Sequence, residues 1–345
     1  MTRKQLFRID GNLIVFVGLI ALTFFILLRG QDLPQLAAVL LTVKIRYLLL
    51  ASGCMCVFLL CEAMNIRKCL QLLGCRCGFL QAIRYALTGF FFSSVTPSAS
   101  GGQPMQLYDM HRDRIPVSSG ALALLMQFCS FQTVTVCFAV AGFTTMYSVL
   151  AEQIGGFRYL FLLGAGLNLV LLMVTWIAIF SRRLTERLQQ AASWLLHRLP
   201  GKKPLQLEQS LTEQLALYQQ SSVCFRQNKT VFFRLLLVTI LQIGAYYSIP
   251  YWIYLSLRLP LYSFWTIVAL QAVLHVTVSA LPLPGAVGAS ESGFLLLFRM
   301  VFPVAALHDA MLLSRGVSFY LFVALSGMAF AISTLFGHKK NSETN

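Results

Sequence analysis

Two stretches of this 345-residue chain combine side chains and backbone suited to handling a charged group in apolar surroundings. The first is SSVTPSASGGQPMQ at residues 93–106, directly after the apolar run ALTGFF; the second is VSALPLPGAVGASESGF at residues 278–294. Pro97 and Pro104 interrupt helical hydrogen bonding, Gly101-Gly102 admit close or left-handed backbone, and Ser and Thr hydroxyls satisfy the backbone groups so freed. A helix that restarts after such a break presents unpaired N–H groups and the positive end of its dipole, here near Gly102 to Met105 and near Ala289 to Glu291. The chemistry this favours is anion binding. The residues assigned to it are Thr96, Ser98, Ser100, Gly101, Gly102 and Gln103 in the first stretch, and Gly285, Gly288, Ser290 and Glu291 in the second.

Cations near these stretches strengthen the assignment. His111, Arg112 and Arg114 follow the first, Arg299 follows the second, and Arg315 lies inside the final apolar segment. An Arg within a span is costly unless it is paired or faces water, so Arg315 is the leading cation, and Glu291, the acid of the second break, is its natural partner. Arg112, His275 and Glu62 are secondary candidates. His275 lies in an apolar helix, where a proton relay competes with a hydrogen-bonded structural role. Glu62 is read at the cytoplasmic end of the second span, where a charge needs no special role.

Catalytic chemistry has no footing. The chain has no G-x-x-x-x-G-K-[ST] loop, no G-x-S-x-G elbow and no H-E-x-x-H helix, so binding or movement is expected rather than catalysis, with no cofactor. The C-x-C of Cys75 and Cys77 is followed by no second pair at zinc-like spacing, which leaves no metal site. The nine cysteines are read as reduced thiols.

The elements that position these residues follow from composition. Hydrophobic residues make up 57% of the chain, charged residues 11%, and the mean hydropathy is +0.72. This is an all-α polytopic membrane protein, because apolar runs near the roughly 20 residues needed for a crossing recur from end to end. The first, Gly11 to Leu28, ends in Arg29-Gly30 without a cleavage pattern and reads as a retained helix. The net charge of +15 sits between apolar segments: Arg3, Lys4 and Arg8; Arg67, Lys68, Arg76 and Arg84; Arg182 to Lys229; Lys339 and Lys340. The positive-inside rule assigns these clusters to the cytoplasm of a multi-pass cell-membrane protein with both termini inside. Lys44 and Arg46 fit only by snorkelling at the outer end of the second span. Leu184, Leu188, Ala191, Leu195 and Leu199 recur at helical spacing within 181–229, as amphipathic helices on an anionic leaflet would. Without interleaved aromatic and basic residues, nucleic acid is not a partner.

This sidedness leaves residues 79–114 to enter and leave the cytoplasmic face, and residues 262–303 to enter and leave the outer face. The first hairpin is predicted as a helix to Phe92, a break over Ser93 to Pro104 and a return from Met105. After a span from Val231 to Leu255 comes the second hairpin, and the last crossing runs from Arg315 to Phe336. The architecture expected is an inverted-repeat transporter-like bundle with two re-entrant broken helical hairpins that meet near the midplane. It forms a single integral membrane domain over 1–345, with a first half of about 1–150, the cytoplasmic region 181–229 and a second half of 231–336. The plainer alternative is a pair of structural kinks or full helical hairpins.

TPSASGGQPMQLY and LPLPGAVGASESG, with the later Arg315, resemble the two signature regions of the lysylphosphatidylglycerol synthase/flippase transmembrane family. Many relatives carry an acidic residue and an Arg near the first motif, where this chain has Gln103 and Gln106. The resemblance implies a stand-alone flippase-type membrane domain without the soluble synthase of the bifunctional members. Its cargo would be an anionic or aminoacylated phospholipid, or a related lipid-linked head group. A separate lipid-modifying enzyme is a compatible partner, as is an oligomer. A secondary transporter of a small anionic solute, or a non-catalytic membrane partner of an envelope enzyme, would use the same fold.

Overall fold

A computed structural model describes residues 39–41, 43–147, 157–180, 227–259, 262–279, 281 and 283–342. The run Gly11 to Leu28 and the amphipathic interval up to residue 226 lie outside the described residues. The elements are α1 (Ile45–Leu72), α2 (Phe79–Val95), α3 (Gly102–Arg112), α4 (Val117–Thr145), α5 (Phe157–Phe180), α6 (Lys229–Ser256), α7 (Phe264–Ser279), α8 (Ala289–Phe298), α9 (Val304–Arg315) and α10 (Leu321–Ser342). Short 3-10 turns at Pro97–Ala99 and Pro284–Ala286 separate α2 from α3 and α7 from α8, and a π turn at Gly316–Tyr320 joins α9 to α10. No strand occurs among the described residues. Among the described residues, five segments are long and apolar enough to cross a membrane: Ile45–Leu72, Val117–Thr145, Tyr159–Ile179, Lys229–Ser256 and Val304–Ser333.

Helix pairs set the frame. Helices α1 and α6 pack antiparallel along their length, as their cross-links show. The Lys44 N–H donates to Ser256 O at 3.2 Å, the Ser248 hydroxyl reaches Cys54 Sγ at 3.4 Å, and the Asn65 amide donates to the Thr239 hydroxyl at 3.0 Å. The second frame is α4, α5 and α7. Gly142 lies against the Ala269 backbone and Gly164 against that of Val276 and Thr277, so small residues bring helix axes close where lipid supplies no hydrophobic drive. Gln132 donates to Asn168 Oδ1 and Asn168 donates to the Ser279 hydroxyl, each at 3.1 Å, which ties these three helices together. The outer side of α5 is apolar and exposed, with Leu162, Leu163, Val170 and Met173. That is the face a lipid-embedded bundle presents.

The first hairpin is antiparallel, with α3 returning along α2. Its break is shorter than predicted: α2 runs to Val95, not Phe92, and α3 begins at Gly102, not Met105. Pro97 terminates α2, whereas Pro104 is the third residue of α3, where its missing N–H has no intrahelical partner to lose. The last crossing also differs. It starts at Val304 rather than Arg315, so Arg315 sits within a continuous span instead of opening one. Burial against Glu291 removes the need for Arg315 to lie at a boundary.

Close approach within the first hairpin depends on Gly102, where a Cβ would fall 2.8 Å from the Gly89 carbonyl oxygen. Gly102→Ala is expected to destabilise the protein by about 1–3 kcal/mol. Gly166→Ala in α5, with nothing within 4 Å of the added carbon, should leave stability unchanged or raise it by up to about 1 kcal/mol. Thermal unfolding of both variants in detergent checks the contrast.

Candidate functional site

The two breaks are built alike. In each, a residue in extended conformation precedes a Pro-x-Ala turn: Thr96 (φ −107°, ψ 147°) before Pro97-Ser98-Ala99, and Leu283 (φ −110°, ψ 139°) before Pro284-Gly285-Ala286. Two successive left-handed residues follow each proline, Ser98 and Ala99 at 52° and 54°, Gly285 and Ala286 at 55° and 50°. Only Gly285 of these adopts that conformation without steric penalty, so three of the four positions hold local strain that the surrounding packing must maintain. The turns pack against each other, and a Cβ on Gly285 would lie 3.1 Å from Ser94 O.

At the first break the Thr96 hydroxyl donates to Phe92 O at 2.6 Å and accepts the Gly101 N–H at 2.8 Å, so one side chain closes the end of α2 and braces the start of α3. Ser98 and Ser100 are exposed, and Gln103 is half-buried. The first turn of α3 holds no acid.

The second break carries its own anion. Glu291 is the third residue of α8, and its Oε2 accepts the Gly288 N–H at 2.6 Å, capping the helix from which it projects. Its Oε1 accepts Arg315 Nε at 2.8 Å and the Tyr320 hydroxyl at 3.1 Å. Arg315 Nη2 donates to Gly285 O at 3.1 Å, and the guanidinium lies over the Phe319 ring at 4.3 Å from its centroid. Both charged side chains are about one-tenth exposed, 10% each. The N-terminus of α8 is therefore not open to an external anion, as the sequence had implied; the Glu291 carboxylate occupies it. Ser290 is buried beside the pair, and Gly288, at φ 82°, supplies the turn into α8.

The secondary candidates lie elsewhere. Arg112 ends α3 at the opposite pole from the break, roughly 15 Å along the helix, and pairs with Asp109 at 3.3 Å. His275 sits among aromatic rings, with centroid distances of 6.4 Å to Phe131, 5.8 Å to Tyr246 and 5.6 Å to Tyr247. Glu62 is not at the end of a span: α1 continues to Leu72, and Glu62 Oε1 accepts the Gln106 amide at 3.2 Å. Gln106 also donates to Tyr85 O at 3.1 Å, so it joins α1, α2 and α3.

One cluster escaped the sequence reading. Arg84 on α2 donates to Asp109 at 2.9 Å and to Asp113, and the Tyr85 hydroxyl donates to Asp113 at 2.5 Å. This network holds the ends of the hairpin arms that lie away from the break, where Arg84 is partly exposed. Its signal was the spacing of Asp109 and Asp113, four residues apart on one helix face. Tyr320 was also missed, because only the π turn rotates it towards Glu291.

Comparison with known proteins adds a family frame. The family model described as "Lysylphosphatidylglycerol synthase TM region" matches residues 12–326. A "UPF0104 membrane protein" from Archaeoglobus fulgidus is 22% identical over 270 residues, which cover 76% of this chain and 79% of that protein.

The buried pair makes a stability prediction. Breaking it by Arg315→Met or Glu291→Gln alone should cost about 3–5 kcal/mol, and the double variant should recover most of that loss because neither charge is left unpaired. Thermal unfolding of the four-member cycle measures the coupling; additive losses would show that the pair is energetically independent.

Proposed function

Because the chain belongs to the lysylphosphatidylglycerol synthase TM-region family, we propose that it is a membrane lipid translocase moving an anionic or aminoacylated phospholipid, or a related lipid-linked head group, between leaflets. The single observation that carries this reading is the Glu291–Arg315 pair against the paired breaks. Arg315 is held by a carboxylate at 2.8 Å that also caps a helix, so a phosphate arriving from the acid-free first break can take the place of Glu291 on the guanidinium. Glu291 then retains the Gly288 N–H and the Tyr320 hydroxyl, and the departing phosphate is replaced by the same carboxylate. Residues Thr96, Ser98, Ser100, Gly101, Gly102 and Gln103 face the head group from the first break, with Gly285, Gly288 and Ser290 shaping the second.

Several features support two re-entrant hairpins in an inverted repeat. The order long helix, broken hairpin, long helix occurs as α1–α4 and again as α6–α10, and α1 runs antiparallel to α6. The Pro-x-Ala turns share dihedral angles and touch. On this reading the chain is one integral membrane domain of the cell membrane, with cytoplasmic termini and binding rather than catalytic side chains. The exposed Ser98, Ser100 and Gly288 at the breaks favour a lipid cargo, since a head group can reach them while its tails stay in the bilayer.

Purified protein in liposomes should accelerate exchange of a fluorescent anionic phospholipid between leaflets without ATP, read by leaflet-specific quenching. Arg315→Ala should slow that exchange by roughly tenfold or more, the worth of a hydrogen bond to a charged group. No acceleration across anionic, aminoacylated and lipid-linked probes, with uptake of a water-soluble anion instead, would replace this reading with solute transport.

A further inference from the structure

Away from the breaks, six polar side-chain atoms on α4, α6 and α7 are buried without a well-formed hydrogen bond among the described residues. They are both carboxamide atoms of Gln242, the hydroxyls of Tyr247, Thr135 and Ser130, and Gln271 Oε1. Gln242, Thr135 and Ser130 are 0% exposed and Tyr247 1%. The Tyr247 and Thr135 hydroxyls face each other across α6 and α4 within weak hydrogen-bonding reach, though neither reaches full hydrogen-bond geometry. Interiors of folded proteins leave few such groups, because each gives up hydration for nothing in return, and a bilayer offers no water to make good the loss. Leucine or methionine would fill these positions more stably if packing were their only role.

The six atoms belong to one strip. Gln242 lies one turn before Tyr246 on α6, and Gln271 one turn before His275 on α7, two neighbouring helices. Between the two glutamines, Tyr246, Tyr247, His275 and Phe131 form a ring cluster with centroids 5.6–6.4 Å from His275. Tyr246 also packs on Phe58 of α1 at 5.3 Å, and its helix, α6, packs against α9 and the π turn, which carry Arg315 and Tyr320. The strip therefore leads from the Glu291–Arg315 pair into the bundle. Its partners for a guest are carboxamides, hydroxyls and aromatic faces. Uncharged donors and acceptors of this kind suit hydroxyl groups, which both give and take hydrogen bonds, and offer a phosphate no opposite charge.

We propose that the α4–α6–α7 seam is a second, uncharged subsite for hydroxyl groups, closed in the present conformation and opened when the bundle rearranges, with Tyr246 as its boundary with the anion site. The unmet hydrogen bonds weaken the closed seam and are met in the open one, which narrows the gap between the two states. The hydroxyls come either from water lining the path or from the cargo's head group. The assignment to a lipid path rests on the translocase reading, whereas the opening of the seam does not.

X-ray hydroxyl-radical footprinting of the intact protein in lipid nanodiscs tests the opening. Tyr247 should be modified several-fold faster than Tyr254, which is equally buried at 1% but whose hydroxyl accepts the Tyr262 N–H at 3.3 Å. Equal protection of the two overturns the proposal. Gln242→Leu and Tyr247→Phe, in liposomes with phosphatidylglycerol and phosphatidate as probes, then identify the source. Both variants should hold or raise the thermal midpoint, since each removes an unmet group. A loss for phosphatidylglycerol roughly tenfold greater than for phosphatidate, about one neutral hydrogen bond, assigns the seam to cargo hydroxyls; equal losses assign it to water. If neither probe slows, the seam is static packing and the proposal fails. If the unmodified protein carries neither lipid, the translocase reading fails, and Tyr247 labelling alone still decides the seam.

Discussion

The ion pair between Glu291 and Arg315 is the constraint around which the membrane-embedded structure is arranged. Two charges in an apolar bundle are each prohibitive alone, and only mutual contact with full hydrogen bonding makes them tolerable. Glu291 meets that requirement three times over, through Arg315, Tyr320 and the Gly288 N–H. Arg315 adds the Gly285 carbonyl and the face of Phe319. Because these partners come from α8, the 3-10 turn, α9 and the π turn, the pair joins the second break to the last crossing. The π turn itself follows from this demand: it re-aims Phe319 and Tyr320 at the charges directly after Arg315.

The same physics explains why the two breaks lie against one another. Irregular backbone in a bilayer needs protein or water against its polar groups. Each break provides part of the other's surroundings, with Gly285 packed near Ser94 O and Arg315 reaching the Gly285 carbonyl. The strained left-handed residues Ser98, Ala99 and Ala286 are stable only within such packing. The breaks are not equivalent electrostatically, however. The second carries a carboxylate at its helix terminus and the first carries none.

Polar side chains elsewhere in the bundle divide into two kinds. Asn65 with Thr239, and Gln132 with Asn168 and Ser279, close hydrogen bonds between helices and act as local ties. Gln242 closes none among the described residues, although it is as deeply buried. Arg84 with Asp109 and Asp113 belongs to the first kind, fastening the arms of the first hairpin far from its break.

The all-helical membrane class was legible in composition alone, because bilayer thickness converts apolar run length directly into crossings. Pro97, Gly101 and Gly102, and Pro284, Gly285 and Gly288, marked the breaks for an equally local reason: these residues disfavour continued helix whatever surrounds them. The pairing of Glu291 with Arg315 was also readable, since a buried charge demands an opposite one and few were available. Local rules failed where position within an element mattered. Pro104 looked like a breaker but lies in the first turn of α3, and Glu62 looked like a boundary charge but lies inside α1. That Glu291 fills its own helix terminus, that Arg112 and His275 stand apart from the breaks, and that Gln242 meets no partner depend on which helix faces overlap. Overlap is a property of packing between residues distant in the chain, so only the tertiary structure decided it.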